Sequence, residues 1–310
     1  MMKRVFIDGS AGTTGLRIRE RLSGREDIEL ITLSEELRKD PAARKEALNS
    51  CDAAFLCLPD AAAVEAVSMV ETNSVTILDT STAHRTNPAF AYGFPELSAA
   101  HLEKVKTSNR IAVPGCHASG FIALVYPLVE AGVLAPDALV SCFSLTGYSG
   151  GGKKMIAEYE DKDRNPLLGT PRQYALGQTH KHLKEMCAVT GLNNAPLFSP
   201  IVADFYSGMQ VSVPLFASQV KATPDEIRAI YKAKYTTPMV EYMDIADRDG
   251  FLEAGTLMGQ DRMIVTVDGN DDRILLSALY DNLGKGASGA AIECMNLRFG
   301  LSATEGLKID

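Results

Sequence analysis

The sequence predicts an α/β fold in two parts, a doubly wound parallel sheet followed by an α+β part whose sheet is mainly antiparallel. Three observations predict it. A glycine-rich loop joins the first strand to the first helix. Short apolar strands then alternate with helical segments, which is the pattern of a parallel sheet covered by helices on both faces. From about residue 138 the strands are longer, and fewer helices separate them.

The first part begins with the strand "KRVFID", the loop "GSAG" and a helix in "TGLRIRERLSG". Leu16, Ile18 and Leu22 stand at roughly helical spacing and are expected to face the core, with Gly24 as the stop signal. Further strands are predicted in "IELITLS", "DAAFLCLP" and "SVTILDTS". The second of these is continuously apolar, as are strands that a parallel sheet buries on both faces.

The second part has long strands in "ALVSCFSLTG", "GMQVSVPLFA", "RMIVTVDG" and "RILLSALYDNL". The segment "DGNDD" between the last two predicts a hairpin. In "TPDEIRAIYKAKY", Thr223 is the expected N-cap, and Glu226 completes a capping box. We therefore expect a first domain of residues 1–115, completed by a C-terminal helical segment 284–310, and a second domain of residues 116–283.

Composition narrows the class of function. The chain has 310 residues, 46% of them hydrophobic, which is enough for a substantial core. A net charge of −8, with scattered Lys and Arg, argues against a nucleic-acid partner and favours a small-molecule one. No apolar run approaches the ~18 residues of a membrane span, and the glycine loop comes too early for a signal peptide. Six cysteines without a pairing pattern indicate reduced thiols, so we expect a cytoplasmic protein that does not contact membranes.

The loop "GSAGTTG" carries Gly9, Gly12 and Gly15 between a strand and a helix, which is the context of a Rossmann-type dinucleotide loop. Glycines let the backbone approach a pyrophosphate, and the helix N-terminus supplies N–H donors. The spacing is G-x-x-G-x-x-G and not G-x-G-x-x-G. A tight turn that serves packing alone therefore stays open as the alternative.

The end of the second strand bears on the choice of cofactor. An NAD site places an Asp or Glu there to bind the ribose hydroxyls. Ser34 stands at that position here, with Arg38 and Lys39 close behind, which favours the 2′-phosphate of NADP. Glu35 and Glu36 count against this, because a one-residue shift of the strand end would supply the missing acid.

Cys116 is the candidate nucleophile. In "VPGCHASGF" it opens a predicted apolar helix that Pro127 is expected to kink. Unpaired N–H groups and the positive helix end can lower a thiol pKa from about 8.5 into the range ~3.5–7.5. A buried structural thiol is the alternative. The remaining cysteines lie in apolar or helical stretches and are expected to be core residues: Cys51, Cys57, Cys142, Cys187 and Cys294.

A thiolate enzyme also needs a group that exchanges protons near neutral pH. The segment "THKHLKEM" places His180 and His182 two residues apart, with Glu185 one helical turn beyond His182. Either histidine can be the acid/base, and Glu185 favours His182 because it can orient that ring. With no third His or Cys nearby the pattern is a poor zinc site, so no metal is expected. A solvated helix start is the alternative.

With "GSAGTTG", "PGCHASG" and "HKHLKE" in this order, the sequence resembles the N-acetyl-γ-glutamyl-phosphate reductase family in its shorter form. This family belongs to a wider group that includes aspartate-semialdehyde dehydrogenase. The resemblance runs nearly end to end through "LDTSTAHR", "GYSGGGKKMI" and "NLGKGASGAAIECMNL".

The resemblance implies an NADP-dependent oxidoreductase of arginine biosynthesis that reduces an acyl phosphate through a thioester on Cys116 and releases inorganic phosphate. It implies an acid/base histidine within the pair His180 and His182, and it suggests a homo-oligomer, either a dimer or a tetramer. The residues implied to bind NADP are Gly9, Ser10, Ala11, Gly12, Thr13, Thr14 and Gly15.

Two further sets of residues are expected near the substrate and the cofactor. A backbone nest in "GYSGGGKK", assisted by basic side chains, would bind the substrate phosphate; a flexible glycine turn is the alternative. The small residues after the last strand are expected to bring the C-terminal helix towards the nicotinamide. The first set is Ser149, Gly150, Gly151, Lys153, Lys154 and Arg85, and the second is Asn282, Gly284, Gly286 and Ala287.

Two other functions remain possible from the sequence. One is an aspartate-semialdehyde dehydrogenase-type reductase that acts on another acyl phosphate. The other is a non-catalytic sensor that binds NADP and in which Cys116 is inert.

Overall fold

The N-terminal part of the chain builds a six-stranded parallel sheet in the computed structural model, which describes residues 2–310. Every neighbouring pair of strands is parallel, in the order β2-β1-β3-β4-β6-β5. This confirms the predicted doubly wound sheet. The elements are β1 (Lys3–Asp8), α1 (Thr13–Leu22), β2 (Ile28–Ile31), α2 (Pro41–Ser50), β3 (Ala53–Leu56), α3 (Asp60–Ser68), β4 (Thr76–Asp79), β5 (Ala91–Tyr92), α4 (Ala99–Thr107) and β6 (Arg110–Ala112).

The central strands of this sheet are covered on both faces. All four residues of β3 and of β4 are buried, as the apolar run predicted for β3 requires. In α1, Ile18 and Leu22 lie in the core, but Leu16 is 47% exposed. The buried face of this helix is Gly15, Ile18 and Leu22, at spacings of three and four residues, and Leu16 lies about 100° away from Gly15 around the axis. The prediction of Leu16 as a core residue is therefore wrong.

The second compact unit runs from Cys116 to Gly286 and contains an eight-stranded sheet in the order β11-β12-β13-β14-β10-β7-β9-β8. Five of the seven strand pairs are antiparallel, as predicted. Its elements are α5 (Cys116–Glu130), β7 (Ser141–Gly147), α6 (Gly152–Glu160), β8 (Arg172–Gln173), α7 (His182–Thr190), β9 (Leu197–Ala203), β10 (Met209–Phe216), α8 (Pro224–Lys234), β11 (Thr236–Thr237), β12 (Val240–Tyr242), β13 (Met263–Gly269) and β14 (Arg273–Tyr280).

Local signals in this unit are confirmed. β13 and β14 form the predicted hairpin, with Gly269 opposite Ile274. At the start of α8, the Thr223 side chain accepts a hydrogen bond from the Glu226 N–H, and the Glu226 carboxylate accepts one from the Thr223 N–H. Strand β9, which the sequence did not predict, pairs with β7 in parallel.

Helix α5 lies in the core of the second unit. Phe121, Ile122, Leu124 and Val125 are fully buried, and the helix packs on β10 and β14 on one side and on α7 and α8 on others. Pro127 lies inside the helix, as predicted. The packing holds the first residue of α5, Cys116, on a rigid element.

After β14 the chain passes through one π-helical turn (Gly284–Ser288) into α9 (Gly289–Arg298), and residues Ala287–Lys308 pack in the first unit. Sequence inspection placed the start of this returning segment at residue 284. The Asn296 side chain accepts a hydrogen bond of 2.6 Å from Arg25, which follows α1. Within residues 2–310 no helix combines the length and the apolar character needed to cross a membrane.

Candidate active site

Cys116 differs in its surroundings from the other cysteines. It opens α5 and is partly exposed, whereas the residues that follow it in the helix are mostly buried. Burial raises the pKa of Cys51 and that of Cys57 to about 12, and it also raises the pKa of Cys142 and Cys187. No disulfide joins any of the six cysteines. Cys51, Cys57, Cys142 and Cys187 are therefore protonated near neutral pH, while Cys116 stands at a helix N-terminus, where a thiolate is stabilised.

Three histidines lie together in the second unit. The ring centroids of His117 and His180 are 5.7 Å apart, those of His117 and His182 are 5.6 Å apart, and those of His180 and His182 are 4.7 Å apart. The Phe198 ring on β9 packs edge-on against His117 and His180. His117 directly follows Cys116, and the Tyr174 hydroxyl that binds the His117 ring also interacts electrostatically with Cys116, so this cluster lies near the candidate nucleophile.

His117 is held as a neutral ring. Its Nδ1 lies 2.6 Å from the Ser144 hydroxyl, and its Nε2 lies 2.6 Å from the Tyr174 hydroxyl. Burial, assisted by His180 and Lys181, lowers the pKa of His117 to about 3. With both ring nitrogens engaged, His117 connects β7 to Tyr174 and does not titrate near neutral pH.

His180 and His182 are placed differently. His182 is the first residue of α7 and is buried, and Glu185, one turn later, is buried as well. The Nδ1 of His180 accepts the backbone N–H of His182 at 3.2 Å. Burial, with Lys181 nearby, lowers the pKa of His180. His180 thus fixes the start of the helix that carries His182.

No group of three or more His, Cys, Asp and Glu side chains is arranged to bind a metal ion anywhere in residues 2–310.

The glycine loop of the first unit has a geometry that two of its glycines require. Gly9 has φ = +85°, and a Cβ there would lie 2.3 Å from the carbonyl oxygen of Cys57. A Cβ on Gly15 would lie 2.6 Å from the carbonyl oxygen of Gly9. Gly12 has ordinary space around it, and no side chain caps the start of α1. Backbone packing therefore accounts for the glycines at positions 9 and 15. Thr13 and Thr14 are the first two residues of α1, and no side chain caps this helix N-terminus.

A cavity of about 370 Å³ lies beside this loop in the first unit. Gly9, Ser10 and Ala11 line one part of it, and the basic side chains that also line it are Arg19, Arg38, Lys39 and Arg44. Arg44 donates to the buried carboxylate of Asp8 at 3.0 and 3.1 Å, so its charge is compensated within the fold. The loop backbone and the remaining cations fit a phosphate-bearing dinucleotide.

Ser34 does not line this cavity, and its predicted contact with the cofactor stays a prediction. β2 ends at Ile31, three residues earlier than predicted, and Thr32 and Leu33 follow it in the cavity wall. Ser34 instead lies on the surface, where its carbonyl accepts the N–H groups of Leu37 and Arg38. Glu35 is likewise exposed and forms an ion pair with Arg38 at 2.7 Å.

The predicted phosphate nest is partly used by the fold itself. The Ser149 N–H donates to the Tyr206 carbonyl at 2.9 Å, and its hydroxyl accepts the Asn282 amide at 3.0 Å. The Asn282 side-chain oxygen accepts a hydrogen bond from the Gly208 N–H at 2.9 Å. The Ser149 N–H and the Asn282 side-chain oxygen are therefore engaged inside the second unit, whereas the Ser149 hydroxyl accepts this bond and can still donate its own proton.

The basic residues predicted to assist the nest differ in their exposure to solvent. Lys153 and Lys154 are exposed at the start of α6, close to Gly150 and Gly151 in the chain. Arg85 is buried in the first unit and donates to the carbonyls of Val113 at 2.9 Å and Thr80 at 2.8 Å.

Gly286 lies close to Cys116, the candidate nucleophile. A Cβ at this position would stand 3.2 Å from the Cβ of Cys116 and 3.4 Å from the Tyr280 ring. Tyr280, Tyr174 and Ser144 were not singled out by sequence inspection, because isolated Tyr and Ser residues in "LSALYDN", "RQYALGQ" and "SCFSLTG" carry no motif.

The chain is similar to two groups of known proteins. The family model described as the semialdehyde dehydrogenase dimerisation domain matches residues 116–282, and that of the semialdehyde dehydrogenase NAD binding domain matches residues 35–105. The N-acetyl-gamma-glutamyl-phosphate reductase of Rhizobium etli is 44% identical over 306 residues, which cover 96% of this chain and 99% of that protein. The protein of the same name from Brucella ovis is 43% identical over 309 residues, 97% of this chain and 100% of that one.

Solved structures share the fold. Aspartate semialdehyde dehydrogenase II of Vibrio cholerae, complexed with ASA, superposes with a TM-score of 0.74 at 15% identity, covering 97% of this chain and 99% of that one. The Candida albicans aspartate semialdehyde dehydrogenase with NADP gives 0.65 at 14% identity, covering 96% and 98%. These identities establish the architecture, and the closer relatives establish the family. The chain belongs to the N-acetyl-γ-glutamyl-phosphate reductase family, within the semialdehyde dehydrogenases.

Proposed function

We propose that this protein catalyses the reversible NADPH-dependent reduction of N-acetyl-γ-glutamyl phosphate to N-acetylglutamate 5-semialdehyde and phosphate, a step of arginine biosynthesis. The observation that carries the proposal is the partly exposed Cys116 at the N-terminus of a buried helix, with three histidines beside it. The names of the relatives that align with nearly the whole chain supply the substrate.

In the proposed mechanism, the Cys116 thiolate attacks the acyl phosphate carbon and forms a C–S bond as phosphate leaves with the electrons of the C–O bond. Backbone N–H groups in the first turn of α5 stabilise the oxyanion of the tetrahedral intermediate. NADPH, when bound, supplies the hydride that reduces the thioester. Breakage of the C–S bond then releases the semialdehyde and regenerates the thiolate.

His182 is the proposed acid/base. It is buried, its backbone is fixed by the Nδ1 of His180, and the buried Glu185 lies one turn away in α7. In the direction of semialdehyde oxidation the imidazole accepts the proton of the Cys116 thiol. In the reductive direction the protonated imidazole donates a proton to the phosphate oxygen that leaves the acyl carbon. His180 takes the role of a positioning group in this scheme, and His117 stays neutral.

Binding of NADP is assigned to the first unit. The proposed contacts are the loop residues Gly9 to Gly15 for the pyrophosphate, and Arg38, Lys39 and Arg19 for the 2′-phosphate, since these three line the cavity. Arg44 is paired with the buried Asp8, whereas the Glu35 partner of Arg38 is exposed to solvent. Gly286 would contribute by leaving space beside Cys116.

Replacement of both Arg38 and Lys39 by alanine is expected to weaken NADPH binding by about 10²- to 10⁴-fold, because two charged hydrogen bonds are lost and each contributes about 1.5–3 kcal/mol. Binding of NADH should change by less than about threefold. Titration of the nucleotide's own fluorescence measures both without relying on turnover. Lys45→Ala, which removes an exposed charge paired with Glu71 outside the cavity, is the control. Equal losses for NADH and NADPH would contradict the assignment.

A homo-oligomer, dimer or tetramer, is part of the proposal. Phe143 and Phe216 are 48% and 63% exposed, and both lie on strands whose opposite faces are buried in the second unit. The family model that matches this unit is described as a dimerisation domain. Sedimentation analysis of the protein and of a Phe143→Asp, Phe216→Asp variant tests this: an unchanged mass on introducing two charges would contradict use of this face.

The proposed compartment is the cytoplasm. Six cysteines that form no disulfide fit its reducing conditions.

The test of the function is a phosphate-dependent assay with N-acetylglutamate semialdehyde, comparing NADP with NAD. Aspartate semialdehyde, assayed side by side, addresses the rival substrate. Preference for aspartate semialdehyde would replace the proposed function by its nearest rival. Absence of turnover with either substrate, together with tight NADP binding, would support the non-catalytic sensor.

A further inference from the structure

The hydroxyl of Tyr280, at the end of β14, makes hydrogen bonds to the first turn of α5. In an α-helix the C=O of residue i faces the N–H of residue i+4. In α5 the first such pair is the C=O of Cys116 and the N–H of Gly120. The Tyr280 hydroxyl lies between these two groups: it donates to the Cys116 carbonyl at 2.6 Å and accepts the Gly120 N–H at 3.1 Å. The hydroxyl thus bridges the acceptor and the donor of the first such pair in α5.

Glycine at position 120 makes room for this insertion. A Cβ on Gly120 would lie 2.7 Å from the Tyr280 hydroxyl and 2.7 Å from a Val211 methyl group. An alanine in the middle of a buried helix would normally be more stable than glycine by roughly 0.5–1 kcal/mol. Here the glycine is needed because the phenol occupies the space.

The phenol itself is rigidly held. Tyr280 ends β14, where it pairs with Met209 on one side and with Met263 on the other. The next residue, Asp281, is fully buried and accepts hydrogen bonds from the Ser207 hydroxyl and from the N–H groups of Gly259 and Leu283, all at 2.6–2.7 Å. Burial raises the pKa of Tyr280 well above its usual value, so the hydroxyl keeps the proton that it donates to Cys116.

We propose that Tyr280 is a positioning residue for Cys116: its hydroxyl, inserted between the Cys116 C=O and the Gly120 N–H, fixes the first turn of α5 and thereby the direction of the thiol. The Cys116 Cβ, against Gly286, has little freedom once its own carbonyl is bound to the end of β14. The orientation of the nucleophile is thus set by the sheet and not by the helix alone. This inference rests on the proposed function, since it assigns Cys116 the nucleophilic role.

Tyr280→Phe tests the proposal, because it removes the inserted hydroxyl and leaves the ring in place. We expect kcat to fall by about 10- to 100-fold, since misplacement of a reacting group by about 1 Å costs on the order of 10²-fold. KM for the semialdehyde and the melting temperature should change little. The rate of Cys116 alkylation by iodoacetamide, followed by mass spectrometry against pH, should shift to higher pH as the thiolate loses its alignment with the helix N–H groups.

Tyr235→Phe is the matched control. The Tyr235 hydroxyl also donates to a carbonyl of α5, that of Ala123, at 2.6 Å, but two turns away from Cys116. This variant should keep the wild-type kcat and alkylation profile. Wild-type kcat in Tyr280→Phe, or losses of activity in both variants that follow their losses of melting temperature with unchanged alkylation profiles, would overturn the positioning role. Wild-type turnover by a Cys116→Ser variant would instead overturn the nucleophilic role of Cys116, and absence of turnover by the wild-type protein would overturn the proposed function, so these failures are distinguishable.

Discussion

Replacement of Cys116 by serine is expected to lower phosphate-dependent oxidation of N-acetylglutamate semialdehyde by about 10⁴-fold or more, the scale of loss seen when an enzyme's nucleophile is removed. A serine hydroxyl at the same helix end has too high a pKa to ionise near neutral pH, so the thioester route is closed. Steady-state assays with NADP and phosphate measure the loss. NADPH binding should be retained, because the glycine loop lies in the other compact unit.

The control for this variant is Cys51→Ser. The Cys51 thiol is buried and already donates weakly to the Leu48 carbonyl at 3.4 Å, so a hydroxyl can take its place. Its activity should stay within about twofold of wild type, as is usual for a substitution that keeps a buried polar group paired. If Cys116→Ser retained full activity, the catalytic assignment of Cys116 would be wrong, because the reaction would then proceed without a thioester on this residue.

Selective labelling provides a second readout of the same site. Because burial raises the pKa of Cys51 and Cys57 to about 12, and raises that of Cys142 and Cys187, these thiols react slowly at pH 7. A single equivalent of iodoacetamide should therefore modify Cys116 first.

Features with local signals were predictable from the sequence. The capping box of Thr223 and Glu226 and the hairpin after Gly269 depend only on residues a few positions apart. The position of Cys116 at the start of an apolar helix is equally local, because the Pro-Gly turn and the apolar run adjoin it. The glycine loop was predicted as well, although its geometry shows that packing alone already requires Gly9 and Gly15.

The predictions that were wrong concern features whose placement is decided by one or two residues, such as the end of a strand or the buried side of a helix. β2 ends at Ile31, so Ser34 lies outside the cavity wall that Arg38 and Lys39 line. The apolar residues of that strand continue to Leu33, and hydrophobicity alone does not reveal where the pairing with β1 stops. Leu16 is exposed for a related reason, since Gly15 occupies the buried position beside it.

Contacts between distant residues could not be predicted. His117 is 27 residues from Ser144 and 57 from Tyr174, yet both hydroxyls bind its ring. Cys116 and Tyr280 are 164 residues apart. Only the pairing of β10 with β7 and β14 brings these groups to one face of the sheet, and β9 joins that sheet without any prior sequence signal. A single sequence thus reveals the reactive thiol, and the fold is needed to reveal what orients it.

His182→Asn is expected to lower kcat by about 10²- to 10⁴-fold, the usual contribution of a positioned general acid/base. Asparagine keeps hydrogen-bonding groups near the ring position but cannot carry a proton between thiol and substrate oxygen. The pH dependence of Cys116 alkylation should move upward, towards the pKa of about 8.5 of an ordinary thiol, because the neutral imidazole no longer accepts its proton. Rapid-mixing alkylation across pH 5–10 measures this shift.

Comparison with His180→Asn assigns the roles within the pair. Since the His180 Nδ1 accepts the His182 N–H, its loss should displace α7 slightly and lower kcat by less than the loss of His182 does. His101→Asn, on α4 of the first unit, replaces a histidine whose Nδ1 binds the neighbouring helix cap Ser98, and it should leave kcat within about twofold. A larger loss in His180→Asn than in His182→Asn, with the alkylation shift appearing only in the former, would transfer the acid/base role to His180.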